Sequence, residues 1–317
     1  MKICLIKTSS MGDIIHTLPA LTDAQHAIEN LEVDWVLEED FAEIPRWHSA
    51  IRNILPVAIR RWRKNLFSSV TWHEWQSCRI FLQSDYYDAV IDAQGLIKSA
   101  ALITYFTNGI KYGYDKQCAR EPIASYFYDK KFFIDYQQHA VERIRQLFAQ
   151  SLGYPYPQTL PDYAIATHFI KTRFEEPYIL FFHATTRSDK FWLIEEWRNL
   201  AQKLTALGYQ IRLPWNNEKE RRQAEQITKN LKNCIILPKL NLTELATEII
   251  NSIAVVSVDT GLAHLTAALD KTNVTLYGAT DPKLIGTYGK NQFHLQGQNM
   301  AEIKAEEVFR LLMKILP

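Results

Sequence analysis

The chain has no apolar run of the ~18 residues that a membrane-crossing helix requires. Its start, MKICLIKTSSMGD, lacks the apolar stretch of a secretory signal, so a cytoplasmic protein is expected. Cysteine is sparse: Cys4, Cys78, Cys118 and Cys234 lie far apart with no CxxC pair, which argues for reduced thiols and against a disulfide framework or a zinc site. There is no GxGxxG fingerprint, no GxxxxGK phosphate loop and no Asp-x-Asp pair to hold a metal-bridged diphosphate. Repeats at 20–50-residue spacing and low-complexity tracts are also missing. Disorder is excluded by composition, with 47% hydrophobic and 22% charged residues.

What is present is an alternation of strand and helix signals over 317 residues, more than one ordinary domain contains. Short runs rich in β-branched residues fall at Lys2–Lys7, Val33–Leu37, Ala89–Asp92, Tyr178–His183, Gln210–Leu213, Ile235–Leu237, Ala254–Val258 and Val274–Tyr277. Helical periodicity follows the first through Ile14, Leu18, Leu21 and Ala24, and recurs over Ile194–Leu207 and Glu218–Asn230. This is the pattern of parallel βαβ units. Four of the twelve prolines lie between Gly153 and Pro177. The expected organisation is an α/β protein with an N-terminal doubly wound domain over 1–155, a linker over 156–177 and a second such domain over 178–300. A terminal helix within 301–317 is expected to pack back on the first domain. Open α/β sheets bind ligands at the carboxyl ends of their strands, so two such domains predict a cleft lined by the turns after strands.

Charge is unevenly spread. The net charge is +1, yet residues 1–44 carry two basic and nine acidic residues, and residues 45–150 carry fifteen basic and nine acidic, a net of +6. Clustered positive charge implies an anionic partner. Arg60-Arg61-Trp62-Arg63-Lys64 is its densest part, readable as a solvated face, a nucleic-acid contact or a membrane contact. No nucleic-acid-binding motif accompanies it, which favours a specific anionic ligand. Arg120, His139 and Arg143 form a sparser set, the last two spaced to share a helix face.

Three turns after strands carry candidate chemistry. In Thr8–Asp13, small residues allow a sharp turn, and Asp13 either caps the next helix or takes a proton as general base. His183–Lys190 offers hydroxyls, N–H groups and a lysine at an expected helix start; it is an ordinary polar loop or a diphosphate site. In Ser257–His264, Gly261 permits close backbone approach, and Asp259 is suited to sugar hydroxyls or to capping. Without Asp-x-Asp, helix N-termini and Lys190 would supply the countercharge to a diphosphate.

The combination of KTSSMGD (Lys7–Asp13), RRWRK (Arg60–Lys64), DAQGLIKSA (Asp92–Ala100), AREP (Ala119–Pro122), QQHAVER (Gln137–Arg143), HATTRSDK (His183–Lys190) and SVDTGLAHLTAALD (Ser257–Asp270) closely resembles the ADP-heptose:lipopolysaccharide heptosyltransferases over essentially the whole chain. RRWRK and DAQGLIKSA resemble type I of that family more than type II. Ala279 in YGATDP stands where relatives usually carry Pro, a departure expected to alter loop stiffness only.

The resemblance implies a GT-B fold, two Rossmann-like domains with a cleft between them. It implies metal-independent, inverting transfer of L-glycero-D-manno-heptose from ADP-heptose to a Kdo residue of Kdo–lipid A, at the cytoplasmic face of the inner membrane. No cofactor is implied. By the same resemblance Asp13 is the catalytic base, and Thr185, Thr186, Lys190, Asp259, Thr260, Gly261 and His264 bind the donor. Glu220 matches a ribose-binding carboxylate, with Glu218 close by. Arg60, Arg61, Lys64, Arg120, His139 and Arg143 match the acceptor side. The rival activities are type II transfer to an already heptosylated acceptor, a sugar-nucleotide epimerase that converts donor without acceptor, and a binding protein indifferent to loss of Asp13.

Overall fold

The computed structural model describes residues 1–172 and 177–316. Residues 173–176 of the expected linker and Pro317 of the terminal segment lie outside the described residues. The chain divides into two compact units, Met1–Ala164 and Ile165–Pro317. The division falls inside the 156–177 stretch.

The first unit holds β1 (Lys2–Ile6), β2 (Glu32–Glu38), β3 (Ile51–Val57), β4 (Tyr87–Asp92), β5 (Gly109–Tyr114) and β6 (Lys130–Phe132). They form one parallel sheet in the order β3-β2-β1-β4-β5-β6. The second unit holds β7 (Tyr178–Phe182), β8 (Gln210–Leu213), β9 (Cys234–Ile236), β10 (Ala254–Val258), β11 (Asn273–Tyr277) and β12 (Gln292–Gln296). Its order, β12-β11-β10-β7-β8-β9, is the same topology repeated. The central strands read as continuous apolar runs because helices cover both faces of a parallel sheet. β7, β10 and β11 are buried at every residue.

In this topology the connections reverse direction between the first and fourth strands, and ligands bind beside their carboxyl ends. That point lies between β1 and β4 in the first unit and between β7 and β10 in the second. The helical pattern after β1 is two helices, Met11–Ile15 and Leu18–Ala27, the second with Pro19 in its first turn, where a missing N–H costs nothing. In the second unit the helix Ile194–Ala206 buries Trp197, Leu200, Ala201 and Leu204, one stripe at helical spacing. The terminal helix Ala305–Ile315 lies against it within the same unit. Ala305, Val308 and Leu312 join the core of β7, β8, β10 and β11, the Ala305 N–H donates to Glu196 Oε2 at 2.8 Å, and Lys203 Nζ sits 2.9 Å from Glu306. The apolar stripe of this helix is thus taken up inside the second unit.

Candidate active site

In the first unit the two loops at the strand-order reversal are tied together by one amide. Gln94 Oε1, just past β4, accepts the Thr8 N–H at 2.8 Å, the Ser9 N–H at 3.1 Å and the Thr8 hydroxyl at 3.2 Å. Lys7 Nζ donates to the Ala93 carbonyl at 3.0 Å. Beneath them Asp92, fully buried, accepts the Gln94 and Gly95 N–H groups and the Thr104 hydroxyl. Burial pushes its carboxyl up, and these donors offset only part of that. Gln94 received no role in the sequence reading. Its signal was position: a polar residue directly after a strand at the reversal.

Asp13 sits in the first turn of Met11–Ile15. Its Oδ2 accepts the Ser10 N–H at 2.9 Å and the Ser10 hydroxyl at 3.1 Å, and its Oδ1 lies 3.5 Å from Lys7 Nζ. The cap is therefore real, but it engages one oxygen; the other faces an ammonium, and the side chain is 31% exposed. Burial raises the carboxyl, and Lys7, Ser10 and Arg120 together outweigh it, so its pKa lies below the ordinary value of 3.8. Asp13 is ionised at neutral pH.

Arg120 and Arg143 approach the same region. Gly95 has φ +65°, and a Cβ there would stand 3.4 Å from the Arg120 backbone N and 3.5 Å from Tyr114 Cδ2. Glycine thus lets the Tyr114 ring and the Arg120 backbone close on the loop. Tyr114, at the end of β5, is buried, and burial raises its pKa while Arg143 lowers it. Its hydroxyl makes no hydrogen bond among the described residues. The Arg143 guanidinium stacks on Tyr136 at 4.1 Å, and its buried Nε has no hydrogen-bond partner. The sequence reading passed over Tyr114 because a tyrosine ending a strand is ordinary core composition.

Other basic residues differ from expectation. His139 is the N-cap of the helix Ala140–Leu152: Nδ1 accepts the Val141 N–H at 3.2 Å, and the buried ring packs edge-on to His16 at 5.3 Å. It does not share an open helix face with Arg143. Arg61 is bonded to both Glu39 and Glu74. Trp62 is buried, not interfacial; it packs with Leu82, Tyr87 and Ile103, and its Nε1 donates to Glu74 at 2.7 Å. Arg60 lies over the Phe41 ring at 5.5 Å, and Lys64 is exposed with no ion pair among the described residues. Part of the +6 is structural. Arg145, fully buried, holds Asp23, Glu142 and the Thr159 carbonyl, and Arg52 holds Asp34 and Asp85.

In the second unit the loops after β7 and β10 are joined by an ion pair: Lys190 Nζ lies 2.5 Å from Asp259 Oδ2, both side chains largely buried. Lys190 ends a short 3-10 turn, Ser188–Lys190, and does not stand at a helix N-terminus as expected. The helix begins four residues on, after Trp192 anchors the loop by donating to the Ile303 carbonyl at 2.8 Å. Asp259 is accordingly committed to Lys190. Thr260 is the N-cap of the helix Gly261–Ala268, in extended conformation with no side-chain cap bond, and Gly261 opens that helix. His264 is buried along it. Thr185 accepts the Arg187 N–H at 3.4 Å, Thr186 is exposed, and Arg187 pairs with Asp189. Glu220 stands in the first turn of the helix Glu218–Thr228, within the helical stretch expected from Glu218. Its oxygens accept the Asn216 N–H at 2.8 Å and the Asn217 amide at 2.7 Å, and Glu218 is exposed beside it. Among the described residues no three of His, Cys, Asp and Glu converge as metal ligands.

Two doubly wound sheets of identical order in one chain define the GT-B class of α/β glycosyltransferase folds. The family model of glycosyltransferase family 9 (heptosyltransferase) matches residues 76–312, and the chain belongs to that family. It is 51% identical to lipopolysaccharide heptosyltransferase 1 of Escherichia coli K12 over 99% of this chain and 100% of that one. The E. coli heptosyltransferase WaaC solved with ADP superposes with a TM-score of 0.96 at 51% identity, covering 99% of both chains. The same enzyme solved with ADP-2-deoxy-2-fluoro heptose gives 0.93 at 50% identity, again over 99% of both.

Proposed function

We propose that the protein transfers L-glycero-D-manno-heptose from ADP-heptose to a Kdo residue of Kdo–lipid A, with inversion and without a metal, while bound peripherally to the cytoplasmic face of the inner membrane. The observation that carries the reading is the Asp13 carboxylate, ionised, with Oδ2 held by Ser10 and Oδ1 facing Lys7 at 3.5 Å, beyond hydrogen-bond contact. An acceptor hydroxyl attacks the anomeric carbon of the heptose as its proton passes to Asp13. The new C–O bond forms on one face, the bond to the β-phosphate oxygen breaks on the other, and the electron pair leaves with ADP. One displacement gives inversion.

The donor would lie at the loops after β7 and β10. Lys190 then exchanges its bond to Asp259 for the diphosphate, and Asp259 turns to sugar hydroxyls. Thr185, Thr186 and the Gly261 N–H are placed for phosphate oxygens, and His264 lines the helix behind them. Glu220 reaches a ribose only by leaving Asn216 or Asn217. On the acceptor side, Arg143 with its unpartnered Nε, Arg120, Arg60 and Lys64 face carboxylates and phosphates. Arg61 and His139 act through the groups they hold. The test is incubation with ADP-heptose and defined Kdo–lipid A acceptors, with product masses read in excess EDTA. One added heptose per Kdo acceptor is expected. Conversion of donor without acceptor, strict need for a heptosylated acceptor, or recovery only on adding Mg²⁺ would overturn the reading.

A further inference from the structure

Exposed large aromatic side chains are distributed very unequally. Phe67, Trp72, Phe81, Tyr105, Tyr126 and Tyr136 are among those in the first unit, and the second shows none among the described residues. Several belong to one continuous surface. The helix Ser69–Ser84 buries only Thr71 and Leu82. From its Trp72 a ladder of ring contacts runs to Trp75 at 5.2 Å, Phe106 at 5.4 Å, Tyr105 at 5.1 Å and Phe127 at 6.3 Å. Trp72 is 58% exposed, Tyr105 62% and Tyr126 77%, and Phe67 is fully exposed just before the helix.

Cations border the ladder. The Arg79 guanidinium lies over Trp75 at 5.9 Å and over Phe106 at 5.0 Å, and Lys131 lies over Tyr126 at 5.9 Å. Arg63 and Lys64 precede Phe67, exposed and without an ion pair among the described residues. The nearby carboxylate Glu74 is already taken by Arg61 and Trp62. Trp and Tyr rings that are half wet, set among unneutralised cations, suit the headgroup region of an anionic bilayer, where ring and charge are both satisfied.

We infer that this surface, the Trp72–Phe127 ladder with Phe67 and the flanking Arg63, Arg79 and Lys131, docks the protein on an anionic lipid bilayer. The inference rests on the peripheral placement proposed above and supplies its contact face. The test is co-sedimentation of the full chain with vesicles of phosphatidylcholine alone or mixed with phosphatidylglycerol. Neither sugar donor nor acceptor is present, so failure of the transfer reaction and failure of docking are separate results. The wild type is expected to pellet with the mixed vesicles and much less with phosphatidylcholine. Phe67→Ser/Trp72→Ser/Tyr105→Ser should weaken this by about tenfold or more, the scale of burying one aromatic side chain. Arg63→Ala and Arg79→Ala should each weaken it about fivefold on mixed vesicles alone. ADP binding by calorimetry should match wild type in every variant, which reports that each is folded. Wild type left in the supernatant with mixed vesicles, or an aromatic variant that pellets like wild type, would overturn the inference. So would self-association through this face, seen by sedimentation velocity, in place of vesicle binding.

Discussion

Both units order their strands alike, yet each fastens its reversal point with a different kind of bond. In the first, the loops are joined through backbone groups: the Gln94 amide holds Thr8 and Ser9, and the Lys7 ammonium holds the Ala93 carbonyl. This leaves Asp13 ionised, with Oδ2 on Ser10 and Oδ1 in a longer ion pair with Lys7 at 3.5 Å. In the second, the fastening is the Lys190–Asp259 ion pair, made of the groups best suited to a charged ligand. On the proposed reading an anionic donor competes with Asp259 for Lys190, whereas a hydroxyl at Asp13 meets a carboxylate whose Lys7 contact is the longer, at 3.5 Å. Topology decides where a site can be, and the choice between amide and ion pair decides whether that site is open or exchanged.

The sharpest way to break the comparison is at Asp13. Asp13→Asn should lose about 10²–10⁴-fold in kcat, the usual worth of general-base assistance, while ADP affinity stays as in wild type. A variant keeping more than about half of wild-type kcat would reduce Asp13 to its capping-box role, since an Asn side-chain oxygen can still accept the Ser10 N–H. The corresponding lesion in the second unit is Lys190→Ala. A charge-assisted bond contributes roughly 1.5–3 kcal/mol, so ADP affinity should fall about ten- to hundredfold. Adding Asp259→Asn should recover part of that loss, because the single variant leaves a largely buried carboxylate without its partner. Calorimetry giving equal ADP affinity for wild type and Lys190→Ala would remove the exchange.

Much of this arrangement was legible in the sequence, for stated physical reasons. The central strands announced themselves as short β-branched runs because both faces of a parallel sheet are covered. β3, β5, β6 and β12 did not. β3 contains Pro56 and polar Arg52 and Asn53 at an edge of the first sheet, β5 holds Gly109 and Gly113, β6 has three residues, and β12 alternates polar residues at an edge of the second sheet. The loops at the two strand-order reversals were visible because they follow strands. Their bonds were not: Gln94 meets Thr8 across 86 residues, and Lys190 meets Asp259 across 69. Residue type tells that a lysine is charged, not which carboxylate the fold delivers to it. Trp62 was misread for the same reason, since its four cationic neighbours said nothing of the core beneath it.

Within the first unit, Lys7 offers a smaller and more specific effect. It is the leading influence that lowers the Asp13 carboxyl against burial, which raises it. In the proposed role Asp13 takes a proton only when ionised, so in wild type that part of the activity should be lost only as pH falls below 3.8, through the lowered pKa. Lys7→Met removes that influence and leaves the burial, so the acid limb of kcat/KM should move upward toward neutral pH. Asp13→Asn should show no such limb. If Lys7→Met keeps the wild-type acid limb and merely loses activity at every pH, then Lys7 serves the Ala93 carbonyl and not the carboxylate.

The smallest effect separates cations that look alike in RRWRK. Arg61 is divided between Glu39 and Glu74, whereas Lys64 has no ion pair among the described residues, and Arg60 meets a ring and donates its backbone N–H to Glu38 at 3.1 Å. An anion reaching Arg61 must break pairs that already satisfy it; one reaching Arg60 or Lys64 breaks none. Arg61→Ala should therefore change the acceptor KM by less than about fivefold, in keeping with the modest worth of exposed pairs. Arg60→Ala/Lys64→Ala should raise it further and flatten its dependence on salt, since exposed charges are screened beyond about 8–10 Å near physiological ionic strength. Acceptor KM measured across a salt series distinguishes the two. If Arg61→Ala flattens the salt dependence as much as the double variant does, Arg61 leaves its carboxylates for the acceptor, and the pairs with Glu39 and Glu74 belong to the unliganded state alone.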